Sequence, residues 1–212
     1  MNKEKRAEIM RILAEPDPHP KSELEFSNPF ELLVAVSLSA QATDKSVNIA
    51  TRPLFAAAPT PQAILELGEE KLKEYIRHVG LHHTKAKNIM ALCAKLIDDF
   101  GGEVPADFDK LVSLPGVGKK TASVVLNVAF RIPRIAVDTH VFRVANRTGY
   151  AKGKTTDEVQ AKMERLTPKE YLLEAHHYFI FQGRYVCKSR KPECARCTIR
   201  HLCEYKEKSA ES

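Results

Sequence analysis

Four of the five cysteines in this chain of 212 residues fall near its end, at Cys187, Cys194, Cys197 and Cys203. The intervening gaps of six, two and five residues let one short excursion of the backbone aim four thiolates at a single centre. Three chemistries compete for such a quartet: disulfides, a structural zinc or an iron–sulfur cluster. The opening MNKEKRAEIM carries scattered charges and no apolar stretch ending in a small-residue cleavage site, so a secreted protein is not expected. Intracellular thiols stay reduced, and clustered ones there bind metal more often than they pair. Zinc favours two Cys-x2-Cys knuckles or added histidines, and only one knuckle is present. Cysteine-only ligation with uneven gaps suits a four-iron, four-sulfur (4Fe–4S) cube better, although the gaps depart from the ferredoxin pattern of two, two and three. On spacing alone zinc stays open.

The charge of the chain is segregated. Between residues 184 and 201 six Lys or Arg, among them Lys188, Arg190 and Lys191, stand against one acid, Glu193. Between residues 119 and 147 six more stand against Asp138 alone. The whole chain carries only +6, so everything outside these two segments is net acidic. Either run by itself reads as solvated surface. Two runs with a single acid each, one wrapped round the cysteines, fit a face that binds a polyanion such as nucleic acid.

Elements that position such groups are helical. No apolar run is long enough to span a membrane, and no strand-like alternation is sustained, so the fold class expected is all-α. Asn28-Pro29 reads as an N-cap with a first-turn proline ahead of a helix, and Thr60-Pro61 repeats the device. Gly80 and Gly101 read as helix stops. Asp138, Thr156 and Pro168 precede further helical patterns, the last being KEYLLEAHHYFIF. Cys93 sits on the apolar face of KAKNIMALCAKLIDDF and reads as a buried core thiol. The histidine pairs at 82–83 and 176–177 point to different faces of a helix, so no second metal is expected, and His140 receives no role.

Between two of these helices lies Leu114-Pro115-Gly116-Val117-Gly118-Lys119-Lys120-Thr121. Two glycines one residue apart are expected to take φ > 0 and turn their N–H groups outward, ahead of the positive end of the next helix. A phosphate fits there. An ordinary helix–helix turn has the same composition, and the motif is no nucleotide fingerprint.

LPGVGKKTA, then Val137-Asp138-Thr139-His140, then the cysteine tail together resemble the helix-hairpin-helix base-excision glycosylases, specifically the endonuclease III family. The likeness runs from Ser27-Asn28-Pro29-Phe30 through LSAQATD, ending at Asp44, to the final cysteines. It implies two helical lobes: a barrel over residues 22–132 containing the hairpin at about 107–130, and a cluster-bearing lobe of residues 1–21 with 133–212. It further implies a 4Fe–4S cluster on the four cysteines and double-stranded DNA containing oxidised pyrimidines or abasic sites as partner. A bacterial, cytoplasmic monomer without membrane attachment is the expected setting.

The resemblance matches Lys120 and Asp138 to the family's catalytic pair. Breaking an N-glycosidic bond calls for a nucleophile at C1′ and a carboxylate near the cationic sugar. The amine attacks uncharged; Lys119 and the positive helix end both disfavour its ammonium, and burial is expected to act the same way. From the residues alone, Lys120 is equally a phosphate contact and Asp138 is better read as an N-cap. Flipping a nucleotide leaves a hole, and the resemblance names Gln41 as its filler and Leu81 as a wedge in the opposite strand. A loop glutamine and a hydrophobic staple are their plainer readings. Gly116, Gly118, Lys119, Lys188, Arg190 and Lys191 complete the expected DNA contacts. Two rivals remain: an adenine-excising relative, which Lys120 and the short C-terminus oppose, and a non-catalytic DNA-binding module.

Overall fold

Seven of the eleven α-helices among the described residues begin on a side chain that accepts a first-turn N–H: Asn2, Asn28, Thr43, Thr60, Asp107, Asp138 and Thr155. Those amides have no partner inside their own helix, so an oxygen at each start fixes where the helix begins. Pro29 and Pro61 reinforce two of the starts. The computed structural model describes residues 1–209, and no strand occurs among them, in keeping with the all-α expectation. The last three residues of the expected second lobe lie outside the described ones.

The helices are α1 (Lys3–Ala14), α2 (Pro29–Leu38), α3 (Asp44–Ala57), α4 (Pro61–Leu67), α5 (Glu69–Ile76), α6 (His82–Phe100), α7 (Phe108–Val112), α8 (Lys119–Phe130), α9 (Thr139–Thr148), α10 (Thr156–Leu166) and α11 (Ala175–Phe181). They fall into two compact units, one of Ser22–Ile132 and one of Met1–Lys21 with the chain from Pro133 onward. No helix among the described residues is long and apolar enough to cross a membrane.

In the first unit α2 is the centre. PFELLVAVSL is apolar on every side, and a helix of that kind is stable only when neighbours cover it all round. α8 and α3 pack against it, while α6 collects α4 and α5. Leu32, Leu33, Leu54, Ile64, Leu72 and Ile76 are wholly buried between them. Glu31, although buried, is satisfied: its Oε2 accepts the Ser27 N–H at 2.6 Å while its own amide donates to the Asn28 cap. α7, the turn 113–118 and α8 form the helix-hairpin-helix.

The second unit has its own core, in which Ile9 and Met10 of α1 meet Val141, Val144, Tyr150, Val159, Met163 and Phe179. Tyr150 stands edge-on to Phe179 at 4.9 Å, and its hydroxyl donates to Thr167. The pattern after Pro168 reads as one helix, but the chain makes a 3-10 turn at Lys169–Tyr171, starts α11 at Ala175 and finishes in a π turn at Gln182–Val186. That break lets Tyr171 and Leu172 fold onto the core. Gly183 in the π turn has no room for a side chain, since a Cβ there would lie 2.8 Å from the His140 Cβ on α9.

Candidate functional site

Lys120 lies in the first turn of α8 and is exposed, so the burial expected for its amine is not found. Among the described residues that amine has no hydrogen-bond or ion-pair partner. Gly116 makes the turn before it at φ +75°, and a Cβ there would stand 2.9 Å from the Asn88 Cβ, so glycine is needed for conformation and for room. Gly118 corrects the sequence reading. Its φ is −91°, ordinary extended backbone, and a Cβ there would meet nothing within 4 Å. The left-handed turn therefore rests on Gly116 alone, and the space beside Gly118 is open. α8 starts without a side-chain cap, which leaves its positive end to attract an anion.

Among the described residues four non-glycine positions have left-handed backbones: Gln41 (φ +57°), Leu81 (φ +60°), Arg131 (φ +55°) and Lys191 (φ +50°). Three of them are positions singled out as DNA contacts, and such conformations cost roughly 1–2 kcal/mol each and cluster at functional sites. Gln41 is exposed in the connection between α2 and α3. Leu81, just ahead of α6, is 61 % exposed, which rules out a staple packed on its own helix. The two turns are joined. A Cβ on Gly80 would sit 3.4 Å from the Gln41 carbonyl oxygen. Lys85 of α6, only 7 % exposed, donates its Nζ to the carbonyls of Leu38 at 2.9 Å and Ala40 at 2.6 Å. Burial pushes its pKa down. In the sequence Lys85 is one more cation on a charged helix; only its distant partners reveal it.

Asp138 is indeed the N-cap of α9. Its Oδ1 accepts the N–H groups of His140 and Val141, each at 2.8 Å, while Oδ2 has no hydrogen-bond partner among the described residues. The buried approach to it is fixed by side chains that sequence reading passed over. His176 Nδ1 donates to the Ala136 carbonyl at 2.7 Å, and the Ile135 amide donates to Glu164 at 3.1 Å. The histidine pair at 176–177 is thus structural at its first member.

All four C-terminal cysteines line one cavity, together with Arg147, Gln182, Ile199 and Tyr205. Among the described residues no group of three Cys, His, Asp or Glu is gathered for a single ion. N–H donors address three of the sulfurs: Arg147 reaches Cys187 at 3.7 Å, Gln182 reaches Cys197 at 3.2 Å, and the Tyr205 amide reaches Cys203 at 3.5 Å. Burial pushes the Cys197 and Cys203 thiols up, and those donors oppose it. Arg147 also holds the Lys188 and Ser189 carbonyls, while Arg143 holds those of Gly183 and Cys187. Both arginines entered the sequence reading only as charge. In the loop after Cys187, Lys188 pairs with Glu193, which also takes Arg196, so Lys188 is not the free cation expected. Arg190 and Lys191 are exposed and have no such partner among the described residues. Cys93 is wholly buried, and burial alone pushes its thiol up to about 12.

The family model described as HhH-GPD superfamily base excision DNA repair protein matches residues 34–169. The chain is 56 % identical to endonuclease III of Escherichia coli (strain K12) over 208 residues, 98 % of this chain and 99 % of that one. It is 55 % identical to endonuclease III of Haemophilus influenzae (strain Rd) over the same shares. Among solved structures it is similar to a trapped endonuclease III–DNA covalent intermediate, with a TM-score of 0.91, 46 % identity and 96 % of each chain covered. The helix-hairpin-helix, the carboxylate that starts α9 and the thiol-lined cavity therefore belong to a base excision repair DNA glycosylase and abasic-site lyase, and the chain is a member of the endonuclease III family.

Proposed function

We propose that this enzyme removes oxidised pyrimidines from duplex DNA through a Schiff base on Lys120 and then cuts the strand on the 3′ side of the abasic site. The observation that carries the reading is the Lys120 amine, exposed and without a partner among the described residues at the uncapped start of α8. A lysine that served the fold would be paired or packed. The solved relative trapped as a covalent intermediate with DNA supports the same chemistry.

In this mechanism the neutral amine attacks C1′ and the base departs with the electron pair of the glycosidic bond. The nitrogen then loses a proton, and cleavage of the bond from C1′ to the ring oxygen leaves an imine. Removal of a C2′ proton expels the 3′ phosphate, and water releases the enzyme. Asp138 offers Oδ2 either to accept the proton lost by the amine or to steady the cationic sugar. Gln41 fills the vacated space in the duplex and Leu81 parts the opposite strand. Gly116, Gly118 and Lys119 receive a phosphate, and Lys188, Arg190 and Lys191 grip the backbone, with Lys188 partly neutralised by Glu193.

Cys187, Cys194, Cys197 and Cys203 would hold a 4Fe–4S cluster. The donor set fits it: four thiols around a cavity rather than a point, with N–H groups aimed at three of the sulfurs. When bound, such a cluster supplies iron–thiolate bonds that tie down the loop after Cys187. A purified enzyme should be brown, whereas zinc would leave it colourless.

Borohydride trapping tests the central claim. Wild-type enzyme on duplex DNA bearing thymine glycol or an abasic site should give a covalent adduct that Lys120→Ala abolishes. No adduct with wild type, or one that survives in Lys120→Ala, refutes the assignment.

A further inference from the structure

The Gln41 and Leu81 turns come from different helix connections, yet one residue bonds to both, with its backbone to the Leu81 turn and with its buried ammonium to the Gln41 turn. The Lys85 amide closes the first turn of α6 onto the Leu81 carbonyl at 3.0 Å, and the Lys85 ammonium donates to the Leu38 and Ala40 carbonyls, just ahead of Gln41. A lysine so buried, with only backbone carbonyls accepting from its ammonium among the described residues, is costly to keep unless those bonds do something the fold needs. Its charge also sits against α2's negative end, where a cation is stabilised. Gly80 completes the seam by bringing its backbone against the Gln41 carbonyl oxygen, with only a Cβ's width between them. Neither Gln41 nor Leu81 can hold its own conformation by packing, because both side chains are exposed and both backbones are left-handed.

We propose that Lys85 is a positioning residue that locks the Gln41 and Leu81 turns into one rigid two-pronged wedge, so that filling the hole and parting the opposite strand occur as a single event. This rests on the insertion roles proposed above for those two residues. A wedge whose prongs moved independently would lose the alignment needed to hold a nucleotide outside the duplex, and displacements of about 1 Å remote from the chemistry can lower a rate a hundredfold.

The test places the fluorescent base 2-aminopurine opposite thymine glycol and measures its unstacking and the single-turnover excision rate at saturating enzyme. Gln41→Ala and Leu81→Ala are run beside it, and each should lower the unstacking signal; if neither does, the insertion reading fails first. Lys85→Met, which keeps length and removes the charge, should lower unstacking and cut excision by about ten- to a hundredfold. Lys85→Arg should restore part of both. Trapping at a preformed abasic site, where no base need be extracted, should fall less than threefold or so. Combining Lys85→Met with Gln41→Ala should add little to either single change. Should Lys85→Met fail to fold, Gly80→Val decides, since its γ methyls extend beyond a Cβ that would already be in contact with the Gln41 carbonyl oxygen, while Lys85 itself is unchanged. If Gln41→Ala and Leu81→Ala lower unstacking while folded Lys85→Met, or Gly80→Val in its place, leaves unstacking and excision at wild-type values, the proposal is overturned.

Discussion

Asp138 Oδ1 lies 2.8 Å from the Val141 amide, so the carboxylate starts α9 with one oxygen and keeps the other uncommitted. Cap and catalyst are therefore compatible in one side chain, and substitutions separate them. Asn is as good an N-cap as Asp, so Asp138→Asn should leave stability within about 0.5 kcal/mol while excision falls at least ~100-fold. Asp138→Ala should lose activity and also about 1 kcal/mol of stability. Urea unfolding beside single-turnover excision reads both, and a fast, stable Asp138→Asn would leave the residue as a cap only.

The two hairpin glycines should respond oppositely. Gly116→Ala forces a side chain into a left-handed backbone against Asn88 and should cost at least ~1 kcal/mol of stability. Gly118→Ala meets open space and should change stability by less than about 1 kcal/mol, because alanine's poorer capping of α8 offsets its smaller unfolded-state entropy, yet it should weaken binding to an abasic-site duplex about tenfold by obstructing a phosphate. Undiminished affinity in Gly118→Ala would mean that no phosphate approaches there.

Lys191 is exposed and has no ion-pair partner among the described residues, whereas Lys188 is tied to Glu193. Lys191→Ala should reduce the slope of log affinity against log salt by about one, and excision at saturating enzyme should hardly change. A collapse of the chemical step in Lys191→Ala would give that loop a catalytic part.

Cys93 makes an alkaline prediction. Its thiol is raised from 9.0 to about 12 in the fold, so the folded state keeps a proton that the unfolded chain gives up. Stability should thus be intact below pH 9 and decline as pH rises toward 12. The denaturant midpoint of Cys93→Ala, lower at neutral pH because of the cavity, should fall less steeply over that window. Parallel slopes would show that Cys93 does not govern it.

What could be read in the sequence was local. Asn28, Thr60 and Asp138 cap their helices within three residues of themselves, so their oxygens mark the starts directly. The cysteines are likewise close in sequence, and spacing alone implied a common centre. Lys85 could not be found that way, because its partners lie 45 and 47 residues distant and its burial is a property of the packed unit. Gly118 was misread because composition cannot say which of two neighbouring glycines takes the left-handed turn. The break before α11 was invisible for the same reason: an unbroken helical pattern gave way to contacts of Tyr171 and Leu172 with residues far along the chain.

The unit that carries the cysteines is assembled from both ends of the sequence, with Ile9 and Met10 packed on Val141 and Phe179. On the ribosome α1 emerges first and waits, its apolar face uncovered, while all of residues 22–132 are synthesised and free to fold. Its partners arrive last, and Cys203 later still. This half therefore cannot close its core until Phe179 has been made, however early α1 is ready.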